Sequence, residues 1–478
     1  MYAYIFTIIE YFRPVFTRRV SFAWFATLVL GLIVRSDKLG ITSVVRDLFL
    51  RPKAYTSLLN FFRADSWKLN TVRKRWYHAI STHIPLLREG KFVLLAADGV
   101  KQSKEARKMP AVKKLHQESE TQSKPEIIFG HMWGCVGVLA GFLGKFTCIP
   151  ASLRIHDGLR EATSWEGSNI SDESHVVQTI RNCCEVAKEL GSPAIALLDR
   201  YFLSVPALKT LQEENESNDC AVELVAKAKK SFIAFKKPEP RKSGQKGRPR
   251  LKGEAVKISN LFTEMANSFK SAGVELYGKQ ESISYYCIDL LWGQKLYQPL
   301  RFVLVKCGQT QSILASTNLE LDPLTIVRLY SYRFRIENTF RELKQQIGCF
   351  AYRFWSKVMP KLNHFKKKGE VSPLAEVKTT ENKNKILKTY RAIEMHALLG
   401  SIAIGILQAV SLKFDDQLRD SFRWQRTPCK SRPSEANVMH VLRRSFFAVL
   451  AKSRNNSILH FITDHQTEPF DNGYVLSA

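Results

Sequence analysis

The sequence predicts a mixed α/β protein with helical regions at both ends, and three observations carry that prediction. Short apolar runs bounded by Asp, Gly or Pro cluster between residues 91 and 316 and read as strands. Within them, strand and helix alternate between Leu143 and Leu198, the pattern of a sheet covered by helices. The flanks, up to about residue 88 and beyond Thr389, carry helical rather than alternating periodicity.

Charge narrows the class of function. Lysine and arginine number 72 against 44 acids, leaving +28, an excess that a small-molecule enzyme has no use for and a polyanion does. Nucleic acid is the commonest such partner. A membrane surface would attract the same charge, so the apolar runs matter. Val20 to Val34 is short of the ~20 residues that span a bilayer, and Met395 to Leu412 is interrupted by His396, Ser401, Gln408 and two glycines, so both read as buried helices and no membrane partner is expected. The N-terminal MYAYIFTIIEYFRP lacks a basic region followed by a cleavage site. Nine scattered cysteines without a C-x2-C pair point to a reducing cytoplasm and away from zinc.

In chain order, residues 1–88 read as helices. Arg46, Arg51, Lys53, Arg63, Lys68, Arg73, Lys74 and Arg75 are interleaved with Tyr55, Phe61, Phe62, Trp67, Trp76 and Tyr77, which suits a helical DNA-binding domain and equally any basic bundle. From Lys91 the texture changes. Phe92 to Ala97 is a buried strand ending at Asp98-Gly99, and Lys101 to Lys114 a basic loop. Ile127–Leu139 and Leu143–Ile149 are strands, a helix covers about Ser174 to Leu190, and Ala194–Leu198 is a strand ending at Asp199. Taken singly, Asp98 is a turn residue and Asp199 a helix cap or a partner for Arg200; as a pair they put two carboxylates at strand ends, where ligands of such sheets collect.

After a strand at Ala221–Lys227, the stretch Lys229–Lys252 is basic and rich in Pro and Gly, an exposed loop. Its Gly247-Arg248-Pro249-Arg250 is either simply solvated or a minor-groove contact through Arg248 and Arg250. Ser282–Leu291 and Leu300–Val305 alternate like paired strands. Trp292 at their turn is either a core residue or a platform for an unpaired base.

Leu324 to Gln346 then forms a helix in which a break near Tyr332 stays open. Asp322-Pro323 starts it and Gly348 stops it. Tyr330, Arg333, Glu337 and Lys344, spaced Y-x2-R-x3-E-x6-K, fall within a stripe of roughly 60°. Leu329, Ile336, Phe340, Leu343 and Ile347 line an apolar stripe beside it. The lysine-rich stretch Lys361–Lys388 reads as a surface linker, and helices at Thr389–Phe414 and Val438–Leu450 close the chain.

Asp98, Asp199 and Glu337 together supply the hard oxygen ligands that two Mg²⁺ or Mn²⁺ ions need, with sites left for phosphate and water. Arg333 and Lys344 would neutralise phosphates, and Tyr330 would contact a phosphate or a base. At this point the chain resembles bacterial DDE insertion-sequence transposases of the insertion sequence four family, whose signature helix is matched at Tyr330, Arg333, Glu337 and Lys344. The resemblance covers roughly residues 91–350. It implies a ribonuclease-H-like catalytic domain with acids Asp98, Asp199 and Glu337, interrupted by a mainly β insertion. The expected division is a DNA-binding domain at 1–88, catalytic parts at 89–214 and 317–356, the insertion at 215–316, and a C-terminal helical region at 357–478 suited to dimerisation. The implied activity is metal-dependent cleavage of transposon ends in double-stranded DNA and strand transfer, by a homodimer in the bacterial cytoplasm, associated with the nucleoid. Some members excise through a DNA hairpin with help from an insertion tryptophan, for which Trp292 is the candidate. The alternatives are another nuclease or resolvase of the same fold, or a transposase-derived DNA-binding protein without catalysis.

Overall fold

The computed structural model describes residues 1–117, 126–240, 248–363, 370–421, 432–452 and 455–467. Five helices come first: α1 (Tyr2–Glu10), α2 (Arg19–Val34), α3 (Thr42–Asp47), α4 (Lys53–Arg63) and α5 (Leu69–His83). The apolar run in α2 is buried in the protein, as its length implied. The aromatic residues interleaved with the basic ones are mostly core: Phe61, Phe62, Trp67, Trp76 and Tyr77 are buried, and the Trp76 indole donates to the Pro150 carbonyl. Arg73 is also buried, beside Glu394. The interleaving thus reflects helices with one apolar and one basic face.

A sheet follows. Strands β1 (Arg88–Glu89), β2 (Phe92–Ser103), β3 (Lys113–His116), β4 (Ile127–Phe142) and β5 (Lys145–Ile155) precede α6 (His175–Glu189), β6 (Ala194–Leu198), α7 (Val205–Ser217) and β7 (Val222–Lys227). Ser174 and Ser204 cap α6 and α7 through their hydroxyls; Asp199 caps neither. β5, β4 and β2 are antiparallel, while β2–β6 and β6–β7 are parallel. This meander followed by parallel strands with crossover helices is the arrangement expected of a ribonuclease-H-like sheet. The central strand β6 is buried throughout, which is why it is uniformly apolar rather than alternating.

Strand β2 departs from the expected ending at Asp98. It continues to Ser103, with Asp98 opposite Cys135 and Gly99 opposite Gly134 on β4. The Asp-Gly pair that reads as a turn lies within an extended ladder.

The remaining strands are β8 (Ile233–Phe235), β9 (Ala255–Lys257), β10 (Lys270–Leu276), β11 (Lys279–Trp292), β12 (Gln298–Cys307) and β13 (Thr310–Ser316), with the short helix α8 (Leu261–Glu264) among them. β13 pairs with β7, so this mainly β region extends the same sheet. Helices α9 (Pro323–Tyr332) and α10 (Arg335–Gln345) come next. Helix α11 runs Thr380–Lys413, followed by α12 (Asp415–Arg419), α13 (Glu435–Lys452) and α14 (Ser457–Asp464).

Helix α11 starts earlier than the expected Thr389, because the Thr379 hydroxyl accepts from the Asn382 amide and caps it there. Its first turns are polar and solvated, so no apolar periodicity announces them. From Ala392 to Leu412 it is buried between the sheet and the N-terminal helices, packing on β5, α2 and α4. It is long and apolar enough to cross a bilayer, and its apolar window is wholly inside the fold.

Candidate active site

The site assembles on the face of the sheet covered by α9 and α10. The parallel register pairs Val93 with Ala194 and Ala96 with Leu197. Continued by two residues, the same offset sets Asp98 level with Asp199, which follows the last residue of β6. The register thus brings the two aspartates named from the sequence level with each other, although β2 runs on past the expected end at Asp98.

The long helix breaks after Tyr332, at the position left open by the sequence. Asp322 caps α9 by accepting from the Leu324 and Thr325 amides. Leu329, Ile336, Leu343 and Ile347 are fully buried and Phe340 nearly so, and the Thr339 hydroxyl donates to the Cys148 carbonyl on β5. The apolar stripe therefore docks both helices on the sheet and turns the polar stripe toward the aspartates. Gly348, with φ +60°, ends the run as expected. The Arg35 guanidinium, buried at the end of α2, donates to the adjacent Ile347 carbonyl.

Arg333 lies in the break and joins the acids. Its Nη1 donates to Asp98 Oδ2 at 3.0 Å and its Nη2 to Glu337 Oε1 at 2.7 Å. Asp98 Oδ1 accepts from the Gly99 amide at 2.7 Å. Burial raises the Asp98 carboxyl above the ordinary carboxylate range; Arg333 opposes that rise and the nearby Asp199 adds to it. Tyr330 is pushed up to about 12, chiefly by burial, again opposed by Arg333. Its phenol stays protonated at neutral pH and is available as a donor. Glu337 is the most open of the group, with 44% of its side chain exposed, and Lys344 stands exposed in the last turn of α10.

These carboxylates have the chemistry that divalent cations require. They are hard oxygen donors, and a half-buried one already has a cation against it. Among the described residues, however, no three Asp, Glu, His or Cys side chains stand together as a ready metal site. The guanidinium of Arg333 is what bridges Asp98 and Glu337. Coordination by all three acids requires that side chain to swing aside.

The other sequence candidates lie elsewhere. Trp292 is buried, its ring stacked on Phe232 at 4.6 Å, so the core reading of this residue describes its place. Arg248 and Arg250 are exposed, while Gly247 of the same motif lies outside the described residues. An aromatic pair that sequence reasoning did not single out lies at the helix break. The β10–β11 turn carries Tyr277 at φ +53°, 6.3 Å from the ring of Phe334. Tyr277-Gly278 between two alternating strands was its signal.

A second feature hidden from the sequence backs strand β2. On the side of the sheet where α6 packs, Gly99 and Gly134 leave a flat patch for two histidines. A Cβ on Gly99 would lie 2.7 Å from His175 Nε2, and one on Gly134 2.0 Å from His156 Cε1. The histidines meet through their Nδ1 atoms at 2.7 Å, and Asn182 Nδ2 is 3.1 Å from His156 Nε2. With the Asn182 amide donating, His156 carries its proton on Nδ1 and His175 carries its own on Nε2. Burial holds both neutral, His175 down to about 4.

No curated protein matches the chain. Residues 168–357, which hold Asp199, Glu337 and the whole of α9 and α10, match the family model described as Transposase DDE domain, and this supports a transposase of the DDE class.

Proposed function

We propose that the protein binds the ends of its own insertion sequence and catalyses metal-dependent DNA cleavage and strand transfer, with Asp98, Asp199 and Glu337 as the catalytic acids. The observation that carries this reading is the convergence of Asp98, level with Asp199, on Arg333 and through it on Glu337. The proposed kinship with the insertion sequence four family rests on Tyr330, Arg333, Glu337 and Lys344 lying at its signature spacing.

In this reading the three carboxylates hold two Mg²⁺ or Mn²⁺ ions, which when bound would activate an attacking oxygen and stabilise the leaving one. Arg333, released from the acids, turns its guanidinium to a phosphate, for which its planar fork is suited. Lys344 adds a point charge farther along on α10, and the Tyr330 phenol donates a hydrogen bond to the DNA backbone. Arg248 and Arg250, exposed on the extended sheet region, supply further backbone contacts. Joining two DNA ends calls for a homodimer acting in the cytoplasm at the nucleoid.

The test is cleavage of duplex carrying the element's ends in Mg²⁺ or Mn²⁺, with Glu337→Gln beside the native protein. Loss of cleavage and strand transfer in a folded variant is expected, and undiminished cleavage would refute the site. One observation favours a second reading, a DNA-binding protein without catalysis: Arg333 already neutralises two of the three acids. Binding without cleavage by the native protein in either metal would establish that alternative. Release of nicked DNA with no joined product would instead mark another nuclease of this fold.

A further inference from the structure

Between α10 and Pro373 the described residues form no helix or strand, yet residues 350–362 are held firmly. Lys104 Nζ donates to the Phe350 and Tyr352 carbonyls and lies 3.9 Å above the Tyr352 ring. The Tyr352 hydroxyl meets His131 Nδ1 at 2.5 Å, and Phe354 packs against Phe62 at 5.0 Å. The Ser356 amide donates to the Lys108 carbonyl and the Leu362 amide to the Arg107 carbonyl. The segment is thereby laced to the loop that follows β2.

An extended chain sends alternate side chains to opposite sides. Tyr352 and Phe354 point inward and anchor the segment, whereas Arg353, Trp355 and Lys357 point out and are exposed. Arg107, Lys108 and Lys361 are exposed alongside. Glu105 is the only acid in residues 104–108 and 353–361. Trp355 is 55% exposed, an apolar surface in the middle of net positive charge. Crowding of that charge is felt by Lys104, brought down to about 8 by burial and by Arg353.

We propose that this ledge is a binding surface for double-stranded DNA, with Arg107, Lys108, Arg353, Lys357 and Lys361 on backbone phosphates and the Trp355 indole packed against the sugars between them. The inference rests on the DNA-processing reading and extends it, because the two segments follow directly from the elements that carry Asp98 and Glu337. Fixed cations lose little freedom on binding, and an aromatic face among them shields their phosphate contacts from water. A merely solvated basic loop would need neither the inward anchors nor an exposed tryptophan.

The experiment uses the full chain with Glu337→Gln, so that duplex is bound but not cut. Duplex should quench tryptophan fluorescence, and Trp355→Phe should remove that change. In a second variant, Arg353→Ala with Lys357→Ala, the slope of log affinity against log salt should fall by about 2, since each phosphate contact contributes ~0.9. Circular dichroism checks the fold of each variant. Duplex binding with quenching and salt slope unchanged in the variants overturns the ledge and leaves the DNA reading standing. Quenching by single strands alone overturns the assignment to duplex. Absence of any DNA binding overturns both readings.

Discussion

Arg333→Met removes the cation that lies between Asp98 and Glu337 without touching a carboxylate. The Asp98 side of the bridge is the more enclosed, with 15% of the Arg333 and 27% of the Asp98 side chain exposed. Exposed pairs contribute up to about 1 kcal/mol, and breaking a fully buried pair costs about 3–5. This half-enclosed bridge falls between them, at about 2 kcal/mol. The cost should depend on pH. Asp98 is an acid whose folded pKa is already raised, so the stability it contributes is present at low pH and is lost as pH rises through that folded value. Without Arg333 the value rises further, and the loss by pH 7 becomes larger. Thermal unfolding of native and variant protein from pH 4 to pH 7 should therefore give melting curves that are close at pH 4 and several degrees apart at pH 7. Mg²⁺ should narrow the gap at pH 7, because a ligand that binds only the folded state stabilises it by RT ln(1 + c/Kd), where c is the free Mg²⁺ concentration. A variant as stable as the native protein at every pH, and indifferent to Mg²⁺, would show that Arg333 does not offset these acids.

Three further outcomes follow from groups outside the acids. His175 titrates near 4 when folded and near 6.5 when unfolded, so the unfolded chain takes up the proton first as pH falls. Stability should drop by about 3 kcal/mol across that window, and His175→Gln should flatten the drop when denaturation is followed against pH. Lys104 is depressed to about 8, so below that pH the folded state bears a cost of about 3 kcal/mol, which is relieved as pH rises toward 10.5. Lys104→Met should remove that alkaline rise in melting temperature relative to the native protein. Gly134→Ala drives a methyl into the His156 ring and should cost about 1–3 kcal/mol by overpacking; adding His156→Ala should recover part of it, and an unperturbed single variant would contradict the histidine patch.

What could be read in the sequence depended on whether a residue's role was local. The stripe of Leu329, Ile336, Phe340, Leu343 and Ile347 follows from helical periodicity alone, and all five are buried. The strand Ala194–Leu198 is uniformly apolar and bounded by Pro193 and Asp199, which set its limits. Asp98-Gly99 misled because a turn and a close approach both select glycine; only the partner strand, with Gly134 opposite, tells them apart. The start of α11 is not legible in the sequence because its first turn and a half, Thr380–Lys385, is polar and needs no apolar residue once Thr379 caps it. The aromatic residues of α4 and α5 were read beside their charges, although adjacent positions on a helix face different ways.

The candidate site obeys the same division and shows why helical spacing is insufficient by itself. Spacing puts Tyr330, Arg333, Glu337 and Lys344 on one side, but α9 and α10 are separate helices. The break frees Arg333 from a continuous helical surface and lets its guanidinium reach across to β2 while still holding Glu337 one turn on. In an unbroken helix that i, i+4 pair would be an ordinary surface contact. With the break, one arginine compensates two acids that would otherwise repel each other, so the apo protein can fold before any metal or DNA arrives. The same arginine must then leave for the acids to coordinate together. In the proposed function a phosphate is the partner that draws it away, which would make the DNA backbone and the metal cooperative ligands of one site. Mg²⁺ affinity should therefore rise when uncleavable duplex is bound to the native protein. In Arg333→Met, where nothing has to be displaced, that gain should shrink. Calorimetric titration of Mg²⁺ with and without a phosphorothioate duplex measures both, and an equal gain in the two proteins would refute the displacement.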